Sequence, residues 1–220
     1  MPIDTIGEPA NATPNALNAP TPPSPLERVV ATGLLRCAVP PSMGGNGGNL
    51  DDLSQAAQAL KRDDPQAATV LWAQRLAIEA LVQSPNVGLR ELWLPELFSG
   101  ERAGTLPIGE PPLVGKDTGR GWLLSGRFEG LSNLPWEGFS LVAPVCLGPS
   151  EGWVFLRSEE NGLSVHPGQE HHASDQATLK LSQVYFREDE WLGDAELSER
   201  IVPLAFALGA CRPRLSTSTY

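Results

Sequence analysis

Apolar residues recur at helical spacing over the first hundred positions and at alternate positions over the next ninety, and that change of period divides the chain. After Asn49, Leu50, Leu53, Ala57 and Leu60 fall three and four apart, with Asp51 and Asp52 in the first turn and Lys61-Arg62 in the last. Asn accepts from the free N–H groups at a helix start, and the macrodipole favours this placement of charge, so a helix is predicted from Asn49 onward. Asp64-Pro65 restarts the pattern as cap and first helical residue. Residues 67–82 are apolar nearly all round, which predicts a helix buried on several sides. A short helix over 27–35 comes before these two. A further helix or pair of turns, interrupted near Pro95, covers 87–98.

Beyond Gly104 the period shortens. Residues 121–128, 138–145 and 152–157 read as strands between Gly, Pro, Asn and Ser, with a hairpin turn at Gly119-Arg-Gly-Trp122. In 176–186 the apolar side chains alternate at Ala177, Leu179 and Leu181 and resume at Val184 and Phe186. That slip of one residue predicts a β-bulge around Ser182-Gln183. Strands of this length and spacing suit an antiparallel β-barrel or sandwich. Helical spacing returns over 196–211, where Ile201, Leu204, Ala205 and Leu208 form an apolar stripe and Pro213 marks the end. One short helix gains little alone, so this stripe folds back on the chain, docks a partner or stays partly exposed. The expected fold class is therefore α+β: a Pro-rich tail (1–26), a helical domain (27–104), a barrel or sandwich (105–194) and a C-terminal helix stub (195–220).

Composition narrows the function classes. Seven prolines and no basic residue in 1–26 exclude the charged start of a signal peptide, and no apolar run reaches the ~18–20 residues that span a bilayer, so a cytoplasmic location is expected. The net charge is −10, and 151–200 holds 11 acidic against 4 basic residues, a surface that repels nucleic acid and anionic lipid. Cys37, Cys146 and Cys211 form neither a disulfide framework nor a metal pair and read as ordinary thiols. Of His166, His171 and His172, the adjacent pair would point to opposite faces of a strand, so no metal site is expected. The Gly44–Gly48 loop lacks the Gly-Lys-Ser/Thr ending of a phosphate cradle and reads as a turn, and no Gly-x-Ser-x-Gly elbow supports a serine hydrolase.

Two stretches carry more. One runs Ser99-Gly-Glu-Arg-Ala-Gly-Thr-Leu-Pro-Ile-Gly-Glu-Pro-Pro112; the other, upstream, runs Gly33-Leu-Leu-Arg-Cys-Ala-Val-Pro-Pro-Ser-Met-Gly-Gly-Asn-Gly-Gly48. Together they resemble the acyl-CoA dehydrogenase family of flavoproteins, in which a helical domain and a β-barrel meet at a Glu-Pro turn. The family's turn reads Thr-Glu-Pro-Gly-x-Gly-Ser-Asp, whereas here Gly109 stands for the Thr and Gly115 for the substrate-contacting Ser. The resemblance implies that the main chain at Leu106, Ile108 and Gly109 meets the flavin pyrimidine, and that Gly115 sits at the substrate position. A second family pattern, Asn-Gly-x-Lys-x-Trp-Ile-Thr-Asn, matches Ser125 to Asn133 at Gly126, Leu131, Ser132 and Asn133. Gly130 occupies its flavin-covering Trp position, Ser132 its N5-contacting hydroxyl, and Trp136 is the nearest aromatic that could cover a ring instead.

The resemblance further implies FAD, with FMN as an alternative, an acyl-CoA-type substrate and a homo-oligomer or a second chain docked on the 201–208 stripe. The sequence stops at Tyr220, where the family's C-terminal bundle with its catalytic Glu would begin, so no catalytic residue is assigned and isolated activity is not expected. Three functions follow: an acyl-CoA dehydrogenase-like oxidoreductase acting on CH–CH groups, a non-catalytic partner-binding paralogue, or a flavin monooxygenase-like relative favoured by Gly130 and Ser132.

Overall fold

The structure, a computed structural model, describes residues 21–135, 137–167 and 176–209. Most of the tail, Trp136, His171, His172 and Cys211 lie outside the described residues.

Capping chemistry sets the helices. Ser24 opens α1 (Pro25–Thr32) with a capping box, its Oγ accepting from Glu27 N at 3.2 Å while its own N–H donates to Glu27 Oε2. Gly33 takes the left-handed conformation (φ 74°) and ends α1, so the helix expected over 27–35 divides into α1 and a 3-10 turn at Leu34–Arg36. Asn49 caps α2 (Leu50–Asp63) by accepting from Asp52 N at 2.8 Å. Asp64 caps α3 (Pro65–Gln83) by accepting from Ala67 N at 3.0 Å. All of α3 from Val70 to Val82 is buried, as its all-round apolar pattern predicted. Helix α4 (Val87–Ser99) runs unbroken through Pro95. The ring is exposed there, so the carbonyl it strands faces water and the helix survives.

The strands are β1 (Ala103–Thr105), β2 (Leu113–Asp117), β3 (Trp122–Leu131), β4 (Phe139–Leu147), β5 (Ser150–Arg157), β6 (Leu163–Pro167), β7 (Ala177–Phe186) and β8 (Trp191–Asp194). They form one sheet in the order β6-β7-β3-β2-β4-β5-β8, with β1 also on β4. The α+β class holds, with one correction to the sheet. It is open and mixed, since β1 and β2 both run parallel to β4. Alternating burial reports which face a residue occupies and carries no information on strand direction, which is why the pattern suggested an all-antiparallel barrel. The predicted bulge is present. Leu124 pairs with Val184 and Gly126 with Leu181, leaving one extra residue on β7, where Gln183 adopts φ 56°.

Strands β4 and β5 are covered on both faces. Val142, Trp153 and Phe155 join the helical core, whereas Leu141, Ala143, Val145, Val154 and Leu156 join a second core with Phe128, Leu179 and Phe186. Helix α5 (Leu197–Ala207) closes the described chain. Ile201, Leu204 and Leu208 are all buried in the helical core, and Ser54 Oγ donates to the Ala207 carbonyl at 2.7 Å. The stripe therefore folds back on its own chain, the first of the three outcomes open to it from the sequence. No helix of the described residues is long and apolar enough to cross a membrane.

Candidate functional site

The chain follows one edge of β4 twice. Ala103–Thr105 pair with Phe139–Leu141, and Leu113–Gly115 rejoin opposite Val145–Leu147. Between them residues 106–112 leave the sheet, and the end of β3 comes up beside them. The result is a recess whose walls include Leu106, Ile108, Gly130, Leu131 and Ser132, with Glu110 and Glu129 beside them. Five of the seven residues singled out from the sequence thus lie together. Gly109 belongs to the same turn in the left-handed conformation (φ 78°), with open space where a Cβ would stand. Gly115 lies apart in β2, between Leu124 and Leu147, where a Cβ would fall 2.2 Å from Leu147 Cδ2.

A buried amide pair fixes this geometry. Gln74 on α3 donates through Nε2 to the carbonyls of Leu97 (2.8 Å) and Arg102 (3.0 Å). Its Oε1 accepts from Gly104 N at 2.6 Å and from Asn133 Nδ2 at 2.7 Å, and that amide also donates to the Gly104 carbonyl at 2.9 Å. Asn133 holds φ 61°, a conformation Asn tolerates better than most residues, and is the last residue of the pattern that matched the family. Ser132 is therefore presented from a backbone locked on both sides. None of the sequence patterns marked Gln74, because its partners lie 23 to 59 positions away.

Two polar atoms in this recess have no protein partner. The Ser132 hydroxyl and the Trp72 indole N–H are both buried and unbonded, and both residues line the recess. Trp72 also escaped the sequence reading, since a Trp on an all-apolar helix reads as core. The Ser140 hydroxyl and the Arg75 guanidinium are likewise unbonded but line no part of the recess. Burial depresses the pKa of Arg75, and Glu79, 3.6 Å away, opposes that shift.

The remaining candidates are structural. The Gly44–Gly48 loop is a turn held by Arg36, which donates to the Gly44 carbonyl and lies 4.6 Å over the Phe98 ring. Cys37 and Cys146 are free, and among the described residues no cluster of three or more His, Cys, Asp or Glu could hold a metal. His166 lies on β6, 3.2 Å from the Ser164 hydroxyl.

Residues 10–101 match the family model for the acyl-CoA dehydrogenase N-terminal domain, beginning inside the stretch read as a tail. The resemblance to that family read from the sequence is thus supported over those residues. The fold is shared with several solved structures. They include the ChsE4-ChsE5 complex from Mycobacterium tuberculosis (20% identity, TM-score 0.70, 84% of this chain and 52% of that one). A glutaryl-coenzyme A dehydrogenase with glutaryl-CoA matches at 20% identity and TM-score 0.70, over 83% and 54%. An acyl-CoA dehydrogenase from Bacillus anthracis complexed with FAD matches at 19% identity and TM-score 0.69, over 84% and 36%. The chain spans about half the length of the first two. A search of curated proteins gives no match.

Proposed function

We propose that this chain is the flavin-holding part of an acyl-CoA dehydrogenase-like oxidoreductase, with FAD as the cofactor and an acyl-CoA-type thioester as the substrate. The observation that carries the proposal is that Leu106, Ile108, Gly130, Leu131 and Ser132, drawn from two separate segments, line one recess. A flavin edge offers ring nitrogens and carbonyl oxygens to donors on these segments, and main-chain groups at Leu106, Ile108 and Gly109 meet the rest without needing particular side chains. Bound flavin would supply hydride acceptance. The residues of this chain bind and orient the ring, while Leu106 and Leu131 exclude water from it. Gly115, held in β2 away from the recess, enters the proposal only as the substrate position implied by the resemblance. FAD is preferred to FMN because the Bacillus anthracis relative is complexed with it. No residue of this chain is assigned as the α-proton base.

Gly130 favours one alternative. With φ 64° and no side chain, it leaves open the place where the family carries Trp, which suits a monooxygenase-like relative acting with reduced flavin and oxygen. The test is the visible spectrum of the purified chain after incubation with excess FAD and desalting. A retained, perturbed flavin spectrum that weakens in Ser132→Ala is expected. A colourless protein would overturn the flavin reading and leave a non-catalytic, partner-binding role. Incorporation of an oxygen atom from O2 into an organic product, with reduced flavin and above the protein-free control, would favour the monooxygenase reading.

A further inference from the structure

We infer that a cleft lined by Trp122 and Trp191 binds a small quaternary ammonium ion, with the two indoles as its walls and Glu188 as its counter-charge. Trp122 opens β3, whereas the recess described above lies at the other end of that strand. The cleft has a volume of about 380 Å³, and Leu147, Ser150 and Glu188 complete its described lining. That is the size of a small-molecule site. Sheet curvature builds it. Strands β7 and β8 are separated in the sheet by β3, β2, β4 and β5, yet the rings of Phe186 and Trp191 are 6.3 Å apart. The 187–190 connection thus brings Glu188 and Trp191 to the start of β3, the end of β4 and the start of β5. Trp191 is seated there before any ligand arrives. A Cβ on Gly152 would fall 2.2 Å from its Cζ2, so the indole packs directly on the Gly152 main chain.

Three features select a cation. Both indoles are partly exposed, and an indole face attracts a cation more strongly than the other side-chain rings do. Among the described residues the cations over rings are Arg36 on Phe98 and Arg102 on Trp93, so neither Trp of the cleft carries one already. The 187–190 segment sets three acids against one arginine, and that Arg187 is paired with Asp189 at 3.7 Å. A quaternary ammonium fits best, because its methyl groups pack on Leu147 and the indoles while its charge meets Glu188. The same carboxylates repel a ligand that also carries phosphate.

The probe is choline, titrated into the full chain and followed by the indole N–H resonances of 15N-labelled protein. Its neutral analogue, 3,3-dimethylbutan-1-ol, has the same shape without the charge. We expect choline to bind roughly 5- to 30-fold more tightly than the alcohol, the size of a cation–ring attraction at a partly desolvated site. The resonances that move should be those missing from Trp122→Phe and Trp191→Phe. Glu188→Gln alters an exposed site and should weaken choline by about 2- to 5-fold while leaving the alcohol unaffected. Phosphocholine should bind more weakly than choline. Equal binding of choline and the alcohol would overturn the assignment, as would tighter binding of phosphocholine. So would choline that moves no indole resonance even in large excess. These comparisons use wild-type protein and stand even if a tryptophan variant fails to fold.

Discussion

The Asn133 side-chain amide donates to Gln74 Oε1 at 2.7 Å, joining α3 to the end of β3 across 59 positions of sequence. The same Gln74 holds the Leu97 and Arg102 carbonyls and the Gly104 N–H, so one side chain ties α4, the turn after it and β1 to the helical core. Its loss would strand several buried groups at once. Gln74→Leu is expected to cost roughly 3 kcal/mol or more, because each stranded buried group costs about 1–3 kcal/mol. Urea denaturation measures this. Flavin affinity should fall together with stability, since Ser132 loses its support.

Gly104 sets how closely β1 approaches α3. A Cβ there would lie 2.6 Å from Ala77 Cβ and 3.1 Å from Leu97 Cδ2. Gly104→Ala is therefore expected to destabilise by about 1–3 kcal/mol through overpacking. Ala77→Gly alone should cost about 1 kcal/mol of helix propensity. The double variant should be more stable than the sum of the two changes implies. Strict additivity in a double-mutant cycle would mean that this contact does not limit the packing.

Legibility in the sequence followed the range of the interactions. The Asn49 and Asp64-Pro65 caps, the hairpin at 118–121 and the bulge at Ser182-Gln183 each depend on residues a few positions apart, and the pattern gave them correctly. Strand direction was not legible, because β2 and β4 are brought parallel by the intervening β3 and alternation is blind to direction. The family resemblance marked Leu106, Ile108, Gly130, Leu131 and Ser132, which the fold does gather around one recess. Trp72 lines it from α3 and Gln74 bonds Asn133 beside it, yet the all-round apolar pattern of α3 reports only that the helix is buried.

Arg75 makes a different case. It is fully buried, its guanidinium forms no hydrogen bond among the described residues, and the carboxylate paired with it is Glu79 at 3.6 Å, which also accepts from Gln83 at 2.8 Å. An ion pair of this geometry repays little of its desolvation. Arg75→Met should therefore be neutral or stabilising, by up to about 4 kcal/mol. Glu79→Gln leaves the buried cation uncompensated and should cost about 3–5 kcal/mol. Thermal melts of both variants test the pair, and a strongly destabilised Arg75→Met would show that the guanidinium has a favourable role.

Asp64 couples capping to pH. The Arg28 side chain, bonded to it at 2.7 Å, and the Ala67 N–H hold its carboxyl below the usual carboxylate range. A folded pKa lower than the unfolded one means that the carboxylate stabilises the fold above the unfolded value, about 3.9, and that this is lost as pH falls through the folded value. Asp64→Asn keeps a capping oxygen and removes the titration, so its stability should vary less than that of wild type below about pH 4. Asp64→Ala should cost about 1–2 kcal/mol at neutral pH through loss of the cap. An unchanged acid limb in Asp64→Asn would place the titration elsewhere.

The two faces of α5 should respond oppositely to truncation. Ile201 and Leu204 are buried in the core shared with α2 and α3, whereas Phe206 is 81% exposed and Val202 40%. Ile201→Ala is expected to cost about 2–4 kcal/mol, the usual range for a buried Ile. Phe206→Ser should change stability by less than about 0.5 kcal/mol, because it alters an exposed site. Denaturant midpoints at two protein concentrations separate the causes. If Phe206→Ser destabilises strongly and abolishes a concentration dependence that the wild-type midpoint shows, the outer face of α5 is covered by a second copy in solution. If Ile201→Ala is nearly silent, α5 contributes little to the helical core, and the packing described for it is wrong.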